Sequence, residues 1–90
     1  MVNVLLYGNL ASIAGSTATT VEARSVGDAL KALSTRYGAD FSEKLYDTNG
    51  APRRFINIYV NGRDYRFLNK LETELSENDE VSLIPAVSGG

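Results

Sequence analysis

The sequence contains no cysteine and no histidine among its 90 residues. Because a disulfide needs two cysteines, no disulfide framework can form, and a zinc site of the Cys/His kind cannot be built. The same absences exclude a Cys–His or a Ser–His catalytic pair. If this chain handles sulfur, the sulfur is therefore not carried on a side-chain thiol.

Long apolar runs are also absent. No stretch approaches the roughly 20 apolar residues that a membrane-spanning helix needs. The apolar stretch VNVLLY after Met1 is too short for the core of a signal peptide followed by a cleavage site. A chain of this length buries roughly 60–70% of its unfolded surface, which is enough for one core. We therefore expect one soluble domain in the cytoplasm.

Charge is unevenly distributed along the chain. The formal net charge is only −2, which argues against nucleic-acid binding by the chain as a whole. Residues 72–80 hold five acids and no base, so nucleic-acid binding by the preceding basic segment is disfavoured as well. The two segments are either solvated surface zones or a pair of docking patches for a partner. The basic segment has one acid, Asp64, among Arg53, Arg54, Arg63, Arg66 and Lys70.

Two strands are predicted in the first 23 residues. Residues 2–7 (VNVLLY) are rich in β-forming residues and carry apolar side chains on both faces, which indicates a strand inside a sheet. Residues 17–23 (TATTVEA) predict a second strand that can pair antiparallel with the first. Between them, Asn9 is a candidate cap for a short turn that carries Leu10 and Ile13 and ends at Gly15.

The clearest helix is predicted over residues 26–37. Ser25 is a favourable N-cap, and Asp28 imitates the capping box with a shorter acid. Gly38 is expected to end the helix. The apolar residues recur at three-and-four spacing and form one buried stripe: Val26, Ala29, Leu30, Leu33 and Tyr37. The following stretch to Pro52 is predicted to be irregular, with one short helical turn anchored by Phe41 and Leu45.

Three strands are predicted in the second half. Residues 55–67 (FINIYVNGRDYRF) have the pattern of a hairpin, and Asn61-Gly62 is the preferred pair for a two-residue type I′ turn. That turn places Val60 opposite Arg63 and Ile58 opposite Tyr65. Residues 68–75 favour a turn or 3₁₀ segment with an extended connector. Residues 80–85 (EVSLIP) predict the last strand, in which ladder pairing ends at Pro85 because proline has no N–H.

The element order is therefore strand, strand, helix, strand, strand, strand. One amphipathic helix can cover the apolar face of such a sheet. The simplest architecture is an α+β fold in which a mixed sheet curls over a single main helix.

Five residues, AVSGG, follow Pro85. Fully extended they reach about 17 Å, and glycine has the most conformational freedom to lose on ordering. A slender segment ending in the Gly90 carboxylate could enter a narrow channel of another protein; the alternative is a frayed terminus. A carboxylate is a poor electrophile, so acyl chemistry at Gly90 needs activation, most simply as an acyl-adenylate made from ATP.

Several stretches together make the chain similar to a known family. They are VLLYGNLASIAG (4–15), RFINIYVNGRDYRF (54–67) and ENDEVSLIPAV (77–87), followed by SGG. The chain resembles the MoaD/ThiS-type ubiquitin-like sulfur carriers, and the hairpin looks closest to archaeal members and to a bacterial branch that serves cysteine synthesis. Ser88 departs mildly from the alanine or threonine that is frequent there.

The resemblance implies a β-grasp fold, with residues 1–85 as the domain and residues 86–90 as a flexible tail. It implies that an E1-like adenylyltransferase, using ATP and magnesium, activates the Gly90 carboxylate, which then becomes a thiocarboxylate. That group would donate sulfur to an acceptor held by a partner enzyme, such as a synthase large subunit. The chain would be a carrier rather than an enzyme and would bind no cofactor or metal. Molybdopterin, tungsten cofactor, thiamine or cysteine synthesis and tRNA thiolation all remain open as its pathway.

The resemblance also implies roles for individual residues. Gly90 would carry the chemistry, while the tail would lie along the partner's channel with backbone hydrogen bonds, as in strand addition. Tyr59 and Phe55 are candidates for an exposed docking face, with simple packing as the alternative. The candidate partner-binding residues are Phe55, Tyr59, Pro85, Ala86, Val87, Ser88 and Gly89.

Two other functions remain open. A ubiquitin-like modifier would use the same adenylate and form an isopeptide bond between Gly90 and a lysine. A plain β-grasp interaction module would have a frayed tail and no covalent chemistry. As a carrier, the chain is expected to be monomeric alone and to form heteromeric complexes with its enzymes.

Overall fold

The computed structural model describes residues 1–86. A five-stranded mixed sheet has the spatial order β2-β1-β5-β3-β4. β5 pairs parallel with β1 and antiparallel with β3, and the other two pairings are antiparallel. The strands are β1 (Val2–Leu6), β2 (Ala18–Val21), β3 (Ile56–Val60), β4 (Arg63–Asp64) and β5 (Glu80–Pro85). The helices are α1 (Gly8–Ala14), α2 (Val26–Tyr37) and α3 (Ala39–Leu45), and Tyr65–Phe67 and Lys70–Glu72 are 3₁₀ turns.

The first two strands confirm the predicted antiparallel pair. Val2 pairs with Val21 and Leu5 with Ala18, and β1 has neighbours on both sides, as apolar residues on both faces predicted. Each strand is shorter than predicted: β1 ends at Leu6 and β2 covers Ala18–Val21. β1 stops there because Gly8 already begins α1.

Helix α2 has the predicted bounds. The Ser25 side chain accepts a hydrogen bond from the Asp28 backbone N–H at 3.1 Å, and Asp28 reaches back to the backbone N–H of Arg24 at 3.4 Å. The first bond satisfies one of the N–H groups that lack partners at a helix start, and the second ties the helix to the residue before its cap. The predicted stripe faces the sheet; its fully buried members are Val26, Ala29, Leu30 and Leu33.

Helix α1 corrects the prediction that Asn9 caps a short turn. The helix begins two residues earlier than an Asn9 cap implies, at Gly8, with Tyr7 at the cap position and no side-chain cap bond, so Asn9 lies inside it. Gly15 ends the helix as predicted, in a left-handed conformation with φ 72°. The Gly15 N–H returns to the Ala11 carbonyl at 2.9 Å.

Helix α3 occupies the first half of the stretch to Pro52 that was predicted to be irregular, and it is longer than the one short helical turn expected there. Gly38 ends α2 and also stands at the cap position of α3, so the chain turns sharply between the two helices. The predicted anchors, Phe41 and Leu45, are fully buried, and the Phe41 ring lies 5.2 Å from the Tyr37 ring. One covering helix was predicted, but three helices cover the sheet, and α2 is the longest of them.

The hairpin confirms the Asn-Gly turn but not the full register. Asn61 and Gly62 both have positive φ, 51° and 86°, as a type I′ turn requires. Val60 pairs with Arg63 as predicted. The predicted pair of Ile58 with Tyr65 is wrong, because β4 ends at Asp64 and Tyr65 begins a 3₁₀ turn.

The core lies between the inner face of the sheet and the helices. Alternate strand residues point inward, which gives β3 its buried and half-buried alternation. β5 supplies Val81 and Leu83 from the middle of the sheet, and both are fully buried. The outer face, opposite the helices, is left to solvent or to a partner.

Candidate functional site

The last described residues of the chain leave from the middle of the sheet. The Tyr7 N–H donates to the Leu83 carbonyl, so the backbone of Leu83 faces β1. Because backbone groups alternate along a strand, Pro85 faces the same way, and its missing N–H ends the pairing with β1. Ala86 faces β3 instead, and its N–H donates to the Phe55 carbonyl at 2.6 Å. β5 ends at Pro85 as predicted, but one backbone bond to the β3 side follows it.

Gly8 packs against the root of the tail. Its φ is 57°, and a Cβ built there would lie 3.5 Å from Pro85 Cγ, an ordinary van der Waals distance. Glycine is therefore favoured at this position by the left-handed backbone and not by lack of space. The start of α1 thus braces the proline from which the chain leaves the sheet.

Of the two docking candidates, Phe55 lies at the exit, and Tyr59 lies further along β3, opposite Ser82 of β5. The Phe55 side chain is 43% exposed, and the Arg53 guanidinium carbon lies 6.0 Å from the centre of its ring. Tyr59 is half-buried on the outer face, where its Cα pairs with Ser82 and with Asp64. Both aromatic residues are thus at least partly accessible beside β5.

Two further apolar residues lie near the exit and were not among the sequence candidates. Ile84 is half-buried on the outer face of β5, and Tyr7, at the end of β1, is 44% exposed. For Tyr7, the sequence signal was the presence of apolar residues on both faces of β1. Tyr7 and Ile84 come close to each other only through the parallel pairing of β1 with β5, which joins residues far apart in sequence.

A charged cluster lies on the β4 side of the exit. Arg66 donates to the Asp64 carboxylate, with the shortest bond at 2.7 Å, and its NH2 group reaches Asn57 Oδ1 at 3.4 Å. These bonds hold the pKa of Asp64 below its ordinary value and raise the pKa of Arg66. Burial raises the pKa of the neighbouring Tyr65. Asp64 also accepts the Arg66 backbone N–H at 2.9 Å and so caps the 3₁₀ turn.

The described residues contain no metal-binding cluster: nowhere in 1–86 do three acidic side chains come together closely enough to hold an ion. Within the same residues, no helix is both long and apolar enough to cross a membrane.

The remaining sequence candidates cannot be placed. Val87, Ser88, Gly89 and Gly90 lie outside the described residues, so the predicted boundary between domain and tail stays a prediction. The structure brings together Pro85, Ala86 and Phe55 through the Ala86–Phe55 backbone bond. Tyr59 lies further along β3, four residues from Phe55.

Curated relatives align with most of the chain. A protein of Archaeoglobus fulgidus with the provisional name of a sulfur carrier is 40% identical over 76 residues, which cover 84% of this chain and 85% of that protein. The sulfur carrier protein CysO of Mycobacterium tuberculosis is 36% identical over 78 residues, covering 84% and 83%.

Solved structures agree with the fold. The small archaeal modifier protein 1 (SAMP1) of Methanosarcina acetivorans superposes with a TM-score of 0.90 at 32% identity, covering 99% of this chain and 95% of that one. CysO of Amycolatopsis orientalis, solved in a complex with BexX, gives a TM-score of 0.85 at 27% identity over the whole of both chains. The expected ubiquitin-like β-grasp fold, with its mixed five-stranded sheet, is confirmed.

One family model matches almost the whole sequence. The match begins in β1, at residue 4, and runs through residue 90. It therefore includes every stretch on which the sequence resemblance depended. The chain belongs to the ThiS family.

Proposed function

We propose that this chain is a sulfur carrier that works through the carboxylate of Gly90, taken as its C-terminal residue. Membership of the ThiS family and relatives named as sulfur carriers support the proposal. The observation that carries it is the exit of the chain from the middle of the sheet. Four residues lead from the backbone bond of Ala86 to Gly90, and they reach about 14 Å when extended.

The proposed chemistry has two steps, both at the Gly90 carboxyl group. A carboxylate oxygen attacks the α-phosphorus of ATP, an acyl–phosphate bond forms, the bond between the α and β phosphates breaks, and pyrophosphate leaves. Hydrosulfide then attacks the acyl carbon, a carbon–sulfur bond forms and AMP leaves with the electron pair of the broken carbon–oxygen bond. The thiocarboxylic acid loses its proton to solvent and becomes a nucleophilic thiocarboxylate.

The carrier contributes position to this chemistry. Pro85 and Gly8 fix the direction in which the tail leaves, and the Ala86 bond fixes its first residue against β3. Beyond that point Val87, Ser88 and Gly89 are small enough to enter a narrow channel of the partner, where their backbones can form hydrogen bonds with the channel wall. ATP and magnesium are bound by an E1-like enzyme rather than by this chain. The chain acts in the cytoplasm, where ATP is supplied. It catalyses nothing by itself.

The test uses the full chain and the E1-like enzyme encoded in the same genome. The two proteins are incubated with magnesium-ATP and sulfide, and the intact mass of the chain is measured. We expect the mass gain of one oxygen replaced by sulfur, localised to Gly90 by fragmentation. A variant lacking Gly89 and Gly90 keeps the described domain and is the matched control. A wild-type chain that stays unmodified, while the enzyme activates no carboxylate on it, contradicts the proposal.

A second function, protein modification, is favoured by the similarity to SAMP1, which is named as a modifier. In that reaction a lysine amine attacks the same acyl carbon, an isopeptide bond forms, AMP leaves and the amine loses a proton. Digestion of a cell extract with trypsin would then leave residues 71–90 as a branch on lysines of other proteins, because Lys70 is the last basic residue before Gly90. A tagged chain that leaves no such branch, under conditions that yield thiocarboxylate, contradicts this second role.

A further inference from the structure

A cleft of about 550 Å³ lies beside the exit of the chain from the sheet. One wall is formed by residues 52–56, and the Phe55 carbonyl of that wall accepts the backbone bond from Ala86 at 2.6 Å. We call it the basic cleft, because its lining includes four cations beside two aromatic side chains: Arg53, Arg54, Arg66, Lys70, Phe55 and Tyr65. The basic cleft and the root of the tail therefore share the backbone of Phe55.

Three of the four cations in the basic cleft have no ion-pair partner within residues 1–86. Arg66 is held by Asp64 at 2.7 Å, whereas Arg53, Arg54 and Lys70 have no carboxylate within ion-pair distance among those residues. Arg53 donates its Nε hydrogen to the Glu43 carbonyl at 2.8 Å, which orients the guanidinium without neutralising it. The basic cleft thus carries uncompensated positive charge.

Lys70, one of these three cations, has an unusual backbone conformation. Its φ of 52° lies in the left-handed region, which a lysine adopts at a cost in free energy. Such a conformation persists only where the surroundings hold it. Lys70 begins the second 3₁₀ turn, so the fold holds the backbone from which this lining side chain projects.

The aromatic residues indicate what kind of anion fits. Phe55 is 43% exposed in the wall of the basic cleft, and Tyr65 lines the same cleft. A free phosphate would leave this apolar surface uncovered. A protein segment that combines carboxylates with apolar side chains would neutralise the cations and cover the rings at the same time.

We propose that the basic cleft docks an acidic, apolar-containing segment of the E1-like enzyme. This inference rests on the proposed function, because it names the surface through which that enzyme holds the carrier while the tail enters its active site. Charges at the edge of an interface act mainly on the rate of encounter. The basic cleft therefore steers the tail toward the enzyme and takes no part in the chemistry.

The test compares two double variants with the same change in net charge. Arg54→Glu/Lys70→Glu reverses the basic cleft, while Arg24→Glu/Lys31→Glu reverses one arginine and one lysine that do not line it. ATP–pyrophosphate exchange with the E1-like enzyme gives KM and kcat for the carrier. Reversal of the basic cleft is expected to raise KM about tenfold with kcat unchanged, and the control variant should stay close to wild type.

A competition series identifies the ligand class. Oligoglutamate peptide should raise the KM of the wild-type carrier and not that of Arg54→Glu/Lys70→Glu, whereas inorganic phosphate at equal ionic strength should do neither. Equal effects of the two double variants, or equal competition by phosphate and peptide, would overturn the proposal. So would sedimentation showing that the cleft binds a second copy of the chain at assay concentrations.

Failure of the proposed function would look different. A wild-type carrier that supports no pyrophosphate exchange contradicts adenylation at Gly90. Binding of the enzyme to the immobilised carrier, measured for the same variants, then still decides whether the basic cleft docks it: a tenfold loss specific to the cleft variant supports docking, and equal binding of both variants overturns it.

Discussion

Asn61 links the hairpin turn to the start of β5, and its replacement should destabilise the fold measurably. Its backbone N–H donates to the Glu80 carbonyl at 2.8 Å. Its side chain donates to Asp79 Oδ1 at 3.2 Å and accepts the Glu80 N–H at 3.0 Å. Its φ of 51° is left-handed, a region that asparagine tolerates better than alanine does.

Two replacements separate these contributions. Asn61→Gly removes both side-chain bonds but keeps an unstrained left-handed backbone, so it should cost about 1–2 kcal/mol, because each exposed bond is worth about 0.5–1 kcal/mol. Asn61→Ala adds the left-handed penalty of about 1 kcal/mol and should cost about 2–3 kcal/mol in total. For a chain of this size that loss lowers Tm by about 10 °C or more.

Urea denaturation followed by circular dichroism measures both free energies of unfolding. The slopes should match wild type, because the same surface is exposed on unfolding. Equal stability of Asn61→Gly and Asn61→Ala would refute the assignment of strain to the turn. Wild-type stability of both variants would refute the importance of the Asn61 link to β5.

Three other perturbations test the packing and the charges. Gly8→Ala should cost about 1 kcal/mol through its φ alone, since its Cβ meets Pro85 at an ordinary distance; a loss of several kcal/mol in thermal melts would indicate a clash instead. The pKa of Asp64 is lowered mainly by its hydrogen bond from Arg66, so the stability from this pair is present above the unfolded pKa and disappears as pH falls through the folded one. Asp64→Asn should therefore be less stable than wild type near neutral pH and approach it in strong acid, and a gap in urea midpoints that does not change with pH would contradict this. Phe41→Ala should cost about 3–5 kcal/mol because the ring is fully buried, and a urea midpoint close to wild type would show that the core collapses around the site.

Elements with local signals were predictable from the sequence. Ser25 and Gly38 mark the two ends of α2, and Asn61-Gly62 marks the hairpin turn, because caps and tight turns are set by residues within one turn of each other. Pro85 marks the end of β5 for a similar reason, since its own missing N–H stops pairing with β1. In each case the residue acts on its own backbone or on backbone groups within about one turn of it.

Elements that depend on distant contacts were not predictable in the same way. Helix α3 exists because Phe41 and Leu45 find a core to enter, and its own sequence carries no strong cap. The Ile58–Tyr65 pairing failed because the Asp64 side chain captures the Arg66 N–H and turns the chain out of the ladder. The basic cleft was not predictable because it forms only where segment 52–56 meets residues 65–70 in the folded chain. The role of Gly90 was predicted from the family resemblance and not from the residues themselves.

The parallel pairing of β1 with β5 also has a consequence for biosynthesis. Asn3 pairs with Glu80, so the earliest strand to leave the ribosome waits for the latest one, and such non-local contacts form slowly. Until Val81 and Leu83 emerge, the apolar faces of β1 and β3 lack their central neighbour. A chain whose translation stops before β5 therefore has no native sheet, and is expected to be removed by proteases before any activating enzyme meets it.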